Sequence, residues 1–93
     1  MEILNPYRQR IDAIDERLIA LLRERLDVIE EVGHLKARHD IPSVLQDRVD
    51  AVRDNAVKMG AECGIDADFI YALWTHLITY ACDLEDDIRE GRK

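Results

Sequence analysis

Five charged residues stand at or beside positions where the apolar periodicity of this chain calls for hydrophobic ones: Arg8, Arg25, Lys36, Arg48 and Glu85. Arg25 occupies an a-type position along a seam of Leu18, Leu21, Val28 and Val32. A guanidinium buried there without a partner costs several kcal/mol. It is therefore either matched by a nearby acid, with Asp15, Glu24 and Asp27 at hand, or held for an anionic ligand. Lys36 follows at a spacing of about three helical turns and returns to nearly the same face. Arg8, seventeen residues on the other side of Arg25, points about 100° away from that direction at ~100° per residue, beside the seam rather than along it. Arg48 opens a later helix immediately before Val49, where the chain can fold back. Glu85 continues the spacing of Trp74, Ile78 and Ala81, so its carboxyl is directed at the core edge, whereas Asp83, Asp86 and Asp87 read as surface. Several buried cations gathered with one carboxyl make a compact pocket suited to a small dianion, through bidentate Arg–carboxylate geometry.

Other chemistries find no actors. His34, His39 and His76 lack the spacing of paired metal ligands, so no metal is expected. There is no glycine-rich phosphate loop and no nucleophile elbow, and Ser43 is the only serine. Cys63 and Cys82 are too few for a disulfide framework and read as buried structural thiols of a reducing compartment. Trp74, Tyr71 and Tyr80 read as core or interface residues.

Three helices would have to position these groups. Asn5 reads as an N-cap with Pro6 in the first turn. From Leu4 through Tyr7, Ile11, Ile14, Leu18, Leu21, Arg25, Val28 and Val32 to Leu35, the stripe recurs at spacings of three and four. A helix over 6–39 would be about 50 Å long at ~1.5 Å per residue, against a radius of gyration of ~13 Å for a compact domain of this size. It would protrude with its stripe uncovered, and a second chain is the simplest cover. His39 to Ser43 breaks the pattern around Pro42. A second helix follows from about Leu45 to Met59, with Val49, Val52, Ala56 and Met59 as its apolar face, and Gly60 to Gly64 makes the next connection. Asp66 caps a third helix, aided by Asp68 in its first turn. Its stripe is Phe69, Ile70, Leu73, Trp74, Leu77, Ile78, Ala81, Leu84 and Ile88, ending near Gly91. With no repeat, no strand alternation and no domain boundary, the fold class is all-α, one domain over 1–93.

At 93 residues, 47 % of them hydrophobic and 35 % charged, the composition is that of a small soluble domain that gains from a partner. The net charge of −7 opposes binding to nucleic acid or an anionic membrane surface. Residues 1–6 carry neither the basic flank nor the apolar run of a signal peptide, no stretch approaches membrane-spanning length, and a cytoplasmic location is expected.

Several segments resemble the all-helical chorismate mutase family, over nearly the whole chain: Arg8-Gln9-Arg10-Ile11-Asp12-Ala13-Ile14-Asp15, Leu21-Leu22-Arg23-Glu24-Arg25, Val32-Gly33-His34-Leu35-Lys36, Ile41-Pro42, Arg48 and Gly64-Ile65-Asp66-Ala67-Asp68-Phe69. The resemblance implies an intertwined homodimer whose long first helices cross, with two active sites converting chorismate to prephenate by a Claisen rearrangement, without metal or cofactor, in aromatic amino acid biosynthesis. Position by position, it implies that Arg8 reaches a carboxylate in the partner's site and that Arg25 and Arg48 hold carboxylates within their own subunit. Lys36 would donate to the ether oxygen and one carboxylate. Glu85 stands where the family has Gln or Glu as second donor to that oxygen. The physics is compatible. A pericyclic step needs no nucleophile, only a compact substrate conformer and positive charge aimed at the oxygen as the C–O bond breaks.

Three departures from the family pattern, spread over four positions, stand out. Glu85 donates a hydrogen bond only when protonated. Leu45 and Val49 replace acidic residues that the family places at the substrate C4 hydroxyl, and Ala81 replaces a common Ser in the pocket wall. Arg48-Val49 after Ile41-Pro42, and Cys82 with Leu84-Glu85-Asp86, look like 4-amino-4-deoxychorismate mutases. Arg-Val also occurs in isochorismate–pyruvate lyases of this fold, which typically keep Gln at the position of Glu85. The reading ranks chorismate mutase first, the aminodeoxychorismate enzyme second and the lyase third. A non-catalytic helical dimerisation or regulatory module is the alternative from another class.

Overall fold

A computed structural model describes residues 1–92. A 3-10 turn, Glu2–Leu4, leads into α1 (Asn5–Arg38), followed by α2 (Gln46–Glu62) and α3 (Ala67–Arg89). The fold is all-helical with three helices, and no strand occurs among the described residues. No helix is long and apolar enough to cross a membrane among the described residues.

The apolar stripe drives α1 to its expected length, and only its second half finds a surface to cover. Every residue from Met1 to Glu24 is exposed. Tyr7, Ile11, Ile14, Leu18 and Leu21 are each about half or more accessible to solvent. The molecule measures 55 × 27 × 15 Å with a radius of gyration of 16.6 Å, well above the ~13 Å of a compact domain.

α3 packs against both other helices, while α1 and α2 do not pack against each other. Residues Leu22 to Leu26 of α1 flank His76 to Tyr80, and Gly33 meets Glu85 and Ile88. Numbers rise together along the two helices, so α1 and α3 run in the same direction. The core is correspondingly concentrated on α3, where Ile70, Ala81, Leu84 and Ile88 are buried, joined by Ala56 of α2. Arg53 fastens α2 to α3. Its guanidinium donates to Thr75 Oγ1 at 3.2 Å, lies 4.5 Å from the Tyr71 ring centroid and pairs with Asp50 at 3.2 Å.

All three helices end in the same way. A residue in the left-handed region follows the C-cap, and the next N–H returns to a carbonyl five residues back: Ile41 to Lys36 at 2.8 Å, Ile65 to Gly60 at 2.9 Å and Arg92 to Asp87 at 2.7 Å. Gly64 and Gly91 take that conformation without strain, and Asp40 takes it at φ 54° with a side chain.

The helix boundaries and burial correct four expectations. Asn5 is not the cap of α1: the 3-10 turn is already helical, so Leu4 precedes the helix and Asn5 is its first residue. α2 runs past Met59 through Gly60 to Glu62, and Gly60 is buried, because a Cβ there would come within 2.8 Å of Ile70 Cγ1. Met59 on α2, and Phe69 and Leu73 on α3, are exposed rather than core; Tyr71 and Tyr80 are exposed too, which leaves the interface half of their core-or-interface reading. Cys63 is also exposed, contrary to the buried-thiol reading. Asp66 caps α3 as expected, its carboxylate accepting from Phe69 N at 3.0 Å.

Candidate active site

Because α1 and α2 stand apart, a cavity of about 520 Å³ opens between them against α3. Arg25 and Lys36 enter it from α1, and Leu45, Arg48 and Val49 from the start of α2 and the connector before it. Ala81 and Cys82 close it from α3, with Glu85 one helical turn further on. Seven of the eight residues singled out from the sequence thus line one cavity. The eighth, Arg8, lies about 25 Å from Arg25 along α1 at ~1.5 Å per residue and is exposed.

Lys36 is the hub. Its side chain is mostly buried, and Nζ lies 2.7 Å from Oε1 of Glu85, itself only 5 % exposed. The same ammonium donates to the Ser43 carbonyl at 3.0 Å, while the Lys36 backbone carbonyl receives Ile41 N–H. Arg89 of α3 donates to the Ile41 carbonyl, pinning the connector from the other side. One lysine therefore ties α1, the connector and α3 together at the deep end of the cavity.

Arg25 is half-buried. The intrachain acid partner allowed for it is not formed: Asp27 pairs with Arg23 instead, at 2.9 Å. Neither Arg25 nor Arg48 is ion-paired among the described residues. Two guanidiniums facing a cavity whose only carboxyl is already engaged by Lys36 leave unspent positive charge, which suits anionic groups on a ligand.

Two polar lining residues, Ser43 and Cys82, are not assigned to the site by the sequence reading. Ser43 is buried, and its contribution is a backbone carbonyl, which no side-chain pattern announces. Cys82 reads from the sequence as a structural thiol and as part of a motif with Leu84-Glu85-Asp86, not as a lining residue, yet it lies on the cavity wall next to Ala81 and one turn before Glu85. That spacing was available as a signal. Burial foremost, then the neighbouring Glu85 carboxylate, pushes the Cys82 thiol above its ordinary range, despite the opposing pull of Lys36. It stays protonated near neutrality and lies 3.8 Å from the Ser43 carbonyl.

A long protruding helix, a shorter pair beside it and a cationic cavity with one buried carboxyl define an all-helical protein with a pocket suited to a small anion. The model of the family "Chorismate mutase type II" matches residues 7–86, and the chain belongs to that family. It is 37 % identical over 84 residues to the 4-amino-4-deoxychorismate mutase of Streptomyces pristinaespiralis, an alignment covering 90 % of this chain and 65 % of that protein. Its identity to the protein of the same name from Streptomyces venezuelae is 34 % over 83 residues, 89 % of this chain and 81 % of the relative. The T-protein of Haemophilus influenzae is 34 % identical over 70 residues, 75 % of this chain but 19 % of that much longer protein.

Proposed function

We propose that this chain is an isomerase that rearranges chorismate to prephenate, in the cytoplasm and as a step towards aromatic amino acids. The observation that carries the reading is the convergence of Arg25, Lys36, Arg48 and Glu85 on one cavity, with both arginines unpaired. The arginines take the substrate carboxylates and hold the compact conformer in which the new C–C bond can form. Lys36 places positive charge at the ether oxygen, where negative charge develops as the C–O bond breaks. Glu85 fixes the lysine and, when protonated, donates to the same oxygen. No proton need be transferred and no covalent intermediate forms, so the rate comes from differential stabilisation of the transition state.

The working unit in this reading is an intertwined homodimer. The uncovered stripe of α1, from Tyr7 to Leu21, supports it: about half of a 34-residue helix has its apolar side chains exposed, with no buried residue among them. Pairing two such helices removes that apolar surface from water at about 25 cal/mol per Å². It also carries each Arg8 towards the partner's cavity to complete the anion site.

A second reading rests on Leu45 and Val49, which make the wall beside Arg48 apolar, and on the two Streptomyces relatives named 4-amino-4-deoxychorismate mutase. In it the substrate carries an amine at C4, and the rearrangement is otherwise the same. Purified protein incubated separately with chorismate, 4-amino-4-deoxychorismate and isochorismate decides the order. The highest kcat/KM is expected with chorismate. A higher value with the amino compound installs the second reading, release of pyruvate from isochorismate the lyase, and no turnover of any of the three rejects the enzyme.

Replacement tests the acid at 85. The Glu85→Gln variant, whose amide is a hydrogen-bond donor, is expected to keep turnover, whereas Glu85→Ala, which can neither fix the lysine nor donate, is expected to lose it. Equal turnover in the two variants, with chemistry rate-limiting in both, would remove Glu85 from the donor role.

A further inference from the structure

We propose that Gly33 is a positioning residue, whose missing side chain sets the distance between Lys36 and Glu85. Gly33 is the one buried residue of α1. A Cβ built on it would lie 2.9 Å from Ile88 Cδ1, 3.3 Å from Glu85 Cγ and 3.4 Å from Glu85 Cα. These contacts differ in kind. Ile88 Cδ1 is the tip of a flexible side chain and can swing away, whereas Glu85 Cα is backbone in a helix anchored by buried Ala81, Leu84 and Ile88. Close packing leaves that backbone no way to yield except by moving α3 as a body.

Gly33 and Lys36 are three residues apart on α1, as Glu85 and Ile88 are on α3, so both pairs lie along the same crossing. At one rung the glycine touches Glu85 and Ile88. At the next, the ammonium of Lys36 stands 2.7 Å from the Glu85 carboxylate. The first rung limits how closely the helices approach and thereby sets the second. A methyl group at 33 spreads the crossing and draws the carboxyl off the ammonium, displacing both groups from the cavity end where they act. A hydrogen at this position accommodates the observed spacing without the 2.9 and 3.3 Å approaches that a methyl group would make to Ile88 and Glu85, even though glycine is a poor helix former in a helix interior.

The kinetic part of the test rests on the proposed rearrangement; the structural part does not. Gly33→Ala is expected to keep α1, because alanine is the better helix former. Crystal structures of the wild-type chain and of this variant should show the Nζ–Oε1 separation lengthened beyond the ~0.5 Å tolerance of a preorganised site. An unchanged separation overturns the proposal, whatever the enzyme does. With the preferred substrate, kcat is expected to fall roughly tenfold while KM stays within about threefold, since a misplacement of 1 Å can cost about 10²-fold. The double variant Gly33→Ala with Ile88→Val relieves the 2.9 Å contact and leaves the Glu85 contacts in place. It should recover the Tm that Gly33→Ala is expected to lose to the clash with Ile88, but not the lost kcat. Recovery of both would reduce Gly33 to a packing residue and overturn the proposal. A wild-type chain that turns over none of the candidate substrates rejects the proposed function, with the measured separation still deciding the role of Gly33.

Discussion

Replacing Lys36 by alanine is expected to lower kcat/KM by roughly 10³-fold, with the helical content and the oligomeric state of the chain unchanged. A single donor aimed at a developing oxyanion is worth about 10²–10³ in rate in a desolvated site, and Lys36 does more than donate. Its ammonium also engages buried Glu85 and the Ser43 carbonyl, so its loss releases the neighbouring carboxyl and the connector leading to Leu45 and Arg48. Lys36→Arg should not restore activity. A planar guanidinium cannot place one compact charge between a carboxylate, a backbone carbonyl and a substrate oxygen. Steady-state kinetics beside far-UV circular dichroism and light scattering separates the effects. Turnover within tenfold of wild type in the alanine variant would contradict the electrostatic role. Loss of fold in a chain that shows no starting activity would favour a non-catalytic helical module.

Mixing two inactive variants should recover activity. Arg8→Ala and Arg25→Ala are each expected to be nearly inactive as homodimers, since each lacks one carboxylate-binding cation at both sites. The two positions lie about 25 Å apart on one helix at ~1.5 Å per residue, too far for both to serve one small ligand in the same chain. In a mixed dimer, the Arg8→Ala chain keeps its own Arg25 and receives Arg8 from its partner. Its site is therefore whole, while the other site lacks both arginines. Random re-association of equal amounts makes half of the dimers mixed, so recovery should approach about one quarter of wild-type activity in a symmetric two-site assembly. Activity no higher than that of the separate variants, after verified subunit exchange, would reject the shared site.

Much of this arrangement was legible in the sequence, for identifiable reasons. Asp66 was readable as a cap because a short acceptor side chain three residues before a free backbone N–H has one economical use. Asn5 had the same credentials and failed, because Leu4 N–H already returns to the Met1 carbonyl and the chain is helical before the asparagine is reached. Gly60 looked like a stop. Its position against Ile70 is a long-range contact, invisible to local propensity, and the conformation that needed glycine fell at Gly64. Within the site, Arg25, Lys36, Arg48 and Glu85 stood out because buried charge is costly, so charge on an apolar stripe draws attention. The carbonyl of Ser43 and the missing side chain of Gly33 carry no such mark. A backbone acceptor and an absence are defined only by what the fold brings against them.

The lack of direct packing between α1 and α2 has a mechanical consequence. The two walls of the cavity are joined by two tethers only, the body of α3 and the short connector gripped by Lys36 and Arg89. The width of the opening is therefore not spread over a continuous core but loaded onto those two members. Ala81 and Cys82 are small residues on the wider tether, facing the gap. Exchanging them for larger or smaller side chains would regauge the cavity while leaving the Arg53 fastening and the protruding half of α1 as they are. In a chain of 93 residues, one turn of α3 thus gauges the room on its side of the cavity, apart from the exposed stripe of α1 between Tyr7 and Leu21.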